Sequence, residues 1–217
     1  MQEKIDTSPA TYRTSAAMLA GAAMVATVLN AQNQTVTDLD VLNYALTLEN
    51  LEANFYTEGL KQFSPADFAR GNFATGLGNP NDAFGDSVSG DAYSYLYLIR
   101  SHEQTHVRTL TRTIQSLGGR PVKPCTYRFS YATIDEFLAI GKVLEDTGVS
   151  AYAGAVKLIR NPALLTAAAT IATVEARHAS YLRLITGDSP FPNAFDPAKT
   201  MQEILTAAGQ FIVSCPA

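Results

Sequence analysis

Between Leu39 and Ile185 the chain holds four segments whose seam positions recur three and four residues apart, and every one of these four stripes carries a glutamate. A 3-4 alternation is the seam of helices packed side by side, since it keeps one face of each helix turned to its neighbours. The first seam is Leu39, Leu42, Leu46, Glu49, Ala53, Tyr56 and Leu60. The second is Leu96, Ile99, Glu103, His106, Leu110, Thr113 and Leu117. The third is Leu138, Gly141, Glu145, Gly148, Tyr152, Ala155 and Ile159, and the fourth Leu164, Ala168, Ile171, Glu175, His178, Leu182 and Ile185. Such a pattern predicts an all-α fold, with helices over 38–60, 91–118, 134–160 and 162–186.

Local signals mark the ends. Thr37 with Asp40, and Thr133 with Glu136, have the spacing of capping boxes, while Asn161-Pro162 places proline at a first helical position. Gly118-Gly119 and Gly187 are stop signals. The stretch from Lys61 to Gly90 is rich in Gly, Asn, Asp and Pro and reads as a long irregular crossover, with a short helix near 65–70. Gly118 to Ala132 is a second crossover, in which only Thr126 to Tyr131 alternates like a strand. A further helix is expected from Pro197 to Val213. Long crossovers between paired helices imply a four-helix bundle. The expected division is a leader or apolar helix over 1–35, the bundle over 36–190, and a C-terminal helix and tail over 191–217 packed on it.

The leader is ambiguous. Ala16 to Leu29 is an apolar run of fourteen residues, shorter than the roughly 18 needed to span a bilayer. It has the length of an export-signal core, but Glu3 and Asp6 accompany Lys4 and Arg13 before it, and Ser8-Pro9 reads as a helix start. Cleaved signal and retained helix both stay open, and with them a periplasmic or extracellular against a cytoplasmic location. The sequon Asn33-Gln34-Thr35 decides nothing. In an exported chain Cys125 and Cys215 are expected to pair. A net charge of −4, without a Lys/Arg-rich run, argues against a nucleic-acid partner.

Seam positions face the core and should be apolar. A buried carboxylate without a partner costs several kcal/mol or takes up a proton, and no Lys or Arg shares these four seams. Glu103 and Glu175 are each followed three residues later by a histidine, His106 and His178, on the same helical face. With nine glutamates and three histidines in 217 residues, chance would place two such pairs in roughly 0.5% of chains. Four carboxylates and two imidazoles in one core call for divalent cations. There is also a repeat: Glu49-x6-Tyr56 precedes Glu103-x2-His106, and Glu145-x6-Tyr152 precedes Glu175-x2-His178. Seven residues is two helical turns, so Tyr56 and Tyr152 are expected to reach ligand carboxylates across the bundle from behind the first ring of ligands.

That order of motifs resembles the ferritin-like di-metal carboxylate proteins, whose bundle sites it reproduces over about residues 36–187. The stretch VLNYALTLENLEANFYTEGL and the segment HEQTHV are similar to the subgroup that includes plant desiccation-related proteins and fungal stress-induced relatives. The resemblance implies a ferritin-like four-helix bundle with Glu49 and Glu145 as terminal ligands, Glu103 and Glu175 as bridges, and His106 and His178 completing each ion. It also favours an export leader. Rubrerythrin-like members place an extra ligand on a helix, a role open to Glu52; its alternative is a solvated helix face. His102 lacks a glutamate at the matching spacing and is expected at the surface or between helices. Asp146 points away from the seam, and Tyr93, Tyr95 and Tyr97 are expected to pack the long crossover.

Mixed carboxylate and imidazole ligands suit two iron ions, with manganese or zinc as alternatives. Two ions about 3.5–4 Å apart can activate oxygen or peroxide, so the expected function is oxidase or ferroxidase-type chemistry in stress protection. No Cys-x-x-Cys pair offers a built-in electron entry. The alternative is a protective protein in which metal only braces the fold. No stable membrane span is expected, and homo-oligomer formation is compatible with the sequence.

Overall fold

The computed structural model describes residues 35–70 and 91–216. The readings made above on residues 1–34, including the signal-or-helix question, and on residues 71–90 of the crossover lie outside the described residues. Helix α1 spans Asp38–Gln62, α2 Pro65–Arg70, α3 Ala92–Ser116, α4 Ile134–Ala155, α5 Pro162–Ile185 and α6 Met201–Ala208. Two short strands, β1 (Thr126–Tyr127) and β2 (Ile212–Ser214), pair antiparallel. The four long helices form the bundle. α1 packs along α3 and α4 along α5, α1 also lies against α4, and α3 meets α5 only sparingly.

The ends form where side chains satisfy the unpaired first-turn amides. The Thr37 hydroxyl accepts from the Asp40 amide while Asp40 accepts from the Thr37 amide at 2.9 Å, and Thr133 with Glu136 does the same on α4. Asn161 accepts from the Ala163 amide ahead of Pro162. Asp38 then takes the amides of Arg160 and Asn161 at 2.8 and 3.1 Å. This contact holds the α4–α5 corner to the start of α1. It also explains why α4 stops at Ala155 rather than running to 160: Val156–Leu158 form a single 3-10 turn, and Ile159 is extended before the proline.

The C-terminal helix is shorter than Pro197 to Val213. Thr200 and Glu203 form a third capping box, so the helix begins at Met201. After Ala208 the chain passes through a 3-10 turn into β2, which pairs with β1 while Cys215 is bonded to Cys125. Sheet pairing and the disulfide thus take the last residues that the helical pattern claimed. Ile204 and Ala208 bury one face of α6 in the main core, against α4.

That docking depends on Gly154. A Cβ there would lie 1.7 Å from the Lys199 carbonyl oxygen, and the Lys199 amide donates to Ser150 at 3.2 Å one turn earlier. Backbone, unlike a flexible side chain, cannot swing aside. Gly154→Ala is therefore expected to destabilise the fold by about 1–3 kcal/mol, as overpacking does, and to increase protease cutting between Gly187 and Thr200. Unchanged melting and cutting would show that the tail is not seated on α4.

The aromatic core is concentrated at one end of the bundle. Phe55 stacks on Phe137 at 4.7 Å between centroids and meets Tyr56, Phe129 and Tyr131 edge-on. Tyr93 packs on Phe68 of α2, which belongs to the crossover as expected. Among the described residues Tyr95 meets Tyr181 of α5, and Tyr97 lies under the Arg100 guanidinium at 4.1 Å. Alternation at 93, 95 and 97 on a helix spreads the three rings over different faces. Among the described residues no helix is long and apolar enough to cross a membrane.

Candidate metal centre

Glu49 and Glu52 come from α1, Glu103 and His106 from α3, Glu145 from α4, and Glu175 and His178 from α5. All seven are buried, and Glu103, Glu145 and Glu175 have no exposed surface. The ligand atoms of Glu49, Glu103, His106 and Glu175 lie within 4.8 Å of one another, and so do those of Glu103, Glu145, Glu175 and His178. Glu103 and Glu175 belong to both groups. The two imidazoles are 6.4 Å apart between centroids, well inside the 10 Å or so that two neighbouring ions could bridge.

The polar atoms are poorly served by one another. Nδ1 of His106 faces Glu49 Oε2 at 3.1 Å, Glu103 Oε2 at 3.3 Å and Glu175 Oε1 at 3.1 Å. A single N–H cannot satisfy three oxygens. Nδ1 of His178 lies 3.0 Å from Glu103 Oε1 and 3.4 Å from Glu145 Oε2, yet neither contact has hydrogen-bond geometry. Glu103 Oε1, Glu145 Oε2, both Glu175 oxygens and His178 Nδ1 are buried without a hydrogen-bond partner among the described residues. Buried polar atoms are otherwise paired almost without exception. Lone pairs that converge in this way fit a cation of more than one charge.

Protons feel the same crowding. Burial, followed by the negative charge of Glu175 and Glu145, holds the Glu52 carboxyl well above the usual carboxylate range. Burial and then Glu103 and Glu49 do the same to Glu175. Glu49 is raised by burial despite a hydrogen bond with His106. Glu103 goes the other way: burial opposes its ionisation, but contacts to His106 and His178 outweigh it. Burial pulls both imidazoles down, yet the carboxylates around them dominate, pushing His106 up to about 12 and His178 up to about 10. Without metal, the cluster keeps its charge balanced by holding protons.

Behind the ligand ring the two tyrosines cross over. Tyr56 of α1 donates to Glu145 Oε1 on α4, and Tyr152 of α4 donates to Glu49 Oε1 on α1, both at 2.5 Å. The repeat in the sequence is thus a pseudo-twofold arrangement, each half supplying the phenol that holds the other half's carboxylate.

One residue stands elsewhere than the solvated-face reading placed it. Glu52 is not on a solvated face; it is only 3% exposed and lies inside the acidic cluster. Three residues is less than one turn, so its carboxyl shares the Glu49 side of α1. Room for it comes from Gly148, where a Cβ would be 3.0 Å from Glu52 Oε1 and 3.4 Å from Glu175 Oε2. The sequence places Gly148 on a seam, but its pairing with Glu52 exists only once α1 and α4 are set against each other. His102 does lie between helices, with much of its surface exposed, but its Nδ1 is 2.9 Å from His178 Nε2 and the two rings stack at 5.2 Å. Asp146 holds Arg183 through two hydrogen bonds of 2.7 and 2.8 Å, away from the cluster.

Residues 37–188 match the family model of the ferritin-like domain, and the chain belongs to that family. It is also similar to Protein rds1 of Schizosaccharomyces pombe (strain 972 / ATCC 24843), with 26% identity over 180 residues, 83% of this chain and 40% of that protein. The chain therefore spans less than half the length of this relative.

Proposed function

We propose that the chain binds two divalent ions, with Glu103 and Glu175 bridging, Glu49 and His106 completing one site, and Glu145 and His178 the other. The observation that carries this reading is the set of buried carboxylate and imidazole atoms left without partners at the centre of the bundle. Glu52 is a fifth carboxylate within the cluster and is available as a further ligand. The mixed carboxylate and imidazole donors suit iron, manganese or zinc alike, and iron is the ion proposed. Two Fe(II) ions held by these residues would supply the electrons for reduction of oxygen or peroxide, themselves becoming Fe(III), which is the oxidase or ferroxidase-type chemistry proposed.

The protein's own part is orientation and exclusion of water. Tyr56 and Tyr152 fix the two terminal carboxylates, and His102 fixes His178. With Nδ1 of His178 turned to the ligands, its Nε2 carries the proton and donates to His102 Nδ1, which sets the ring's tautomer. Tyr56→Phe combined with Tyr152→Phe is expected to weaken metal binding about 10–100-fold while leaving the apo protein folded. Equal affinities by calorimetric titration would remove the phenols from the site.

Loading should expel protons, at least the two from the imidazole Nδ1 atoms, because a ligating nitrogen must be bare. Titrations in buffers of different ionisation enthalpy measure that release, and affinity should rise with pH across 6–9. Proton-independent binding would place the metal elsewhere. Stability of the apo form follows the same protons. His106 and His178, raised in the fold, stabilise it fully below their unfolded value near 6.5 and progressively less as pH climbs toward 10–12. The raised Glu49, Glu52 and Glu175 likewise cost stability once pH exceeds the ordinary carboxylate range. The melting temperature of the apo form should therefore fall as pH rises from 5 to 9, and that of the loaded form much less.

Function is tested by metal analysis of protein purified from its native host, and by oxygen or peroxide consumption after anaerobic Fe(II) loading. Uptake of two irons with consumption supports the oxidase reading. Uptake without consumption supports the structural and protective alternative. The Cys125–Cys215 bond supports an oxidising compartment as the place of action.

A further inference from the structure

Between α3 and α5, the two long helices that meet only sparingly, lies a groove of about 490 Å³. That is within the range of sites for small organic molecules. Its walls are apolar and aromatic: Tyr95, Leu98 and Ile99 on α3, Val174 and Tyr181 on α5. Tyr95 and Tyr181 meet edge-to-face across it at 5.4 Å, and Leu98 is 51% exposed at its rim.

The polar groups in this groove are basic or neutral: besides the tyrosine hydroxyls and Thr105, whose hydroxyl is engaged by Ser101 and Arg108, they are a guanidinium and imidazoles. Arg177, His102, His106 and His178 line it, with no carboxylate among the lining residues. Arg177 has no ion-pair or hydrogen-bond partner among the described residues. His106 and His178 both turn Nδ1 to the glutamates. Nε2 of His178 is taken by His102, whereas Nε2 of His106, on a residue only 8% exposed, meets no protein partner among the described residues. With Nδ1 of His106 on a metal ion, its Nε2 is an N–H. The donated proton from His178 likewise makes the second nitrogen of His102 an N–H. A guanidinium and two imidazole N–H groups thus border an apolar slot in a chain of net charge −4.

We propose that this groove binds a small aromatic carboxylate of one or two rings. Its ring lies among Tyr95, Tyr181 and the His102 face, and its carboxylate is held by Arg177 and the imidazole N–H groups. Beside the metal pair of the function proposed above, this names the class of organic molecule that the centre takes; that role rests on the metal reading, but the binding itself does not. A neutral apolar ligand would leave the donors unmet, and a cation would be repelled by Arg177. The asymmetry of the protein agrees: the acidic cluster is buried, and the metal-facing histidines His106 and His178 line this slot.

The test is calorimetric titration of the full chain with 2-naphthoate and with its neutral analogue 2-acetonaphthone, on the apo protein and after Co(II) loading. One naphthoate should bind per chain in both forms, at least about 10-fold more tightly than the ketone. Arg177→Gln should weaken naphthoate about 10-fold, as expected for one charge-assisted hydrogen bond, and leave the ketone unchanged. Leu98→Trp fills the slot from its exposed rim and should abolish binding of both without lowering the melting temperature. No saturable binding, or equal affinity for acid and ketone with Arg177→Gln silent, overturns the proposal. So does a wild-type dimer that Leu98→Trp splits, since the groove would then belong to a second copy. Co(II) uptake is read separately from its visible absorption. Naphthoate binding without uptake removes the metal reading and keeps the groove; uptake without naphthoate binding removes the groove alone.

Discussion

Glu103→Gln combined with Glu175→Gln is expected to abolish binding of Fe(II) or Mn(II) and to erase the difference in melting temperature between loaded and apo protein. Both residues belong to both ligand groups, so the change removes both bridges from each ion and leaves four ligands, Glu49 with His106 at one site and Glu145 with His178 at the other. In the wild type, metal at about 1,000 times its dissociation constant stabilises the fold by about 4 kcal/mol per site. For a chain of this size, 1 kcal/mol moves the midpoint by about 2–4 °C. Two occupied sites therefore raise the midpoint by roughly 15 °C or more. The variant should show no such gap. Its apo form is expected to melt below wild-type apo protein, since ionised Glu103 is a partner of the raised imidazoles of His106 and His178, so the decisive comparison is each protein with and without metal. Calorimetric melting with and without metal after rigorous demetallation is the measurement. A wild type that melts alike with and without metal defeats the di-metal reading, whatever the variant does.

Cys125→Ser with Cys215→Ser is expected to have the second largest effect. The bond joins positions 90 residues apart, and opening a loop of that length costs about 4–5 kcal/mol in the chain-entropy model. The loss should reach beyond the bond. β1 and β2 are only two and three residues long, too short to stay paired without a tether, and β2 follows α6 after a single 3-10 turn. Amide exchange should therefore quicken first at Ile212–Ser214 and then along α6, while α1, α3, α4 and α5 keep their protection. The same pattern should follow mild reduction of the wild type. A variant whose midpoint drops by less than about 2 °C, with unchanged exchange in α6, would show that packing of Ile204 and Ala208 alone secures the tail.

Seven-residue and three-residue spacings carried most of the centre in one dimension. Glu49 and Tyr56, Glu103 and His106, Glu145 and Tyr152, Glu175 and His178 are each local pairs on one helix, and a helix has only one way to present them. That is why four seam glutamates, two histidines and two phenols were legible before any packing was known. The same locality made the caps at Thr37, Thr133 and Asn161 readable, and Thr200-x-x-Glu203 could have been read in the same way. Helix content, the crossovers and the family resemblance all rest on that short-range grammar.

What the tertiary structure decided is everything that needs two helices at once. Glu52 counts as buried only because Gly148 on α4 faces it, and His102 gains its part only because His178 on α5 comes within 2.9 Å of it. Which phenol serves which carboxylate is also a matter of packing: Tyr56 holds Glu145 and Tyr152 holds Glu49, each across the bundle rather than along its own helix. The tail is a strand and not a helix from Ile212 because its partner strand and cysteine lie nearly ninety residues earlier. The groove beside the histidines exists because α3 and α5 stand apart, a distance set by the packing of α1 with α3 and of α4 with α5. Periodicity determines which face of a helix is buried, but the identity of the residue opposite depends on rotation and offset between helices, and those are fixed only when the whole core closes.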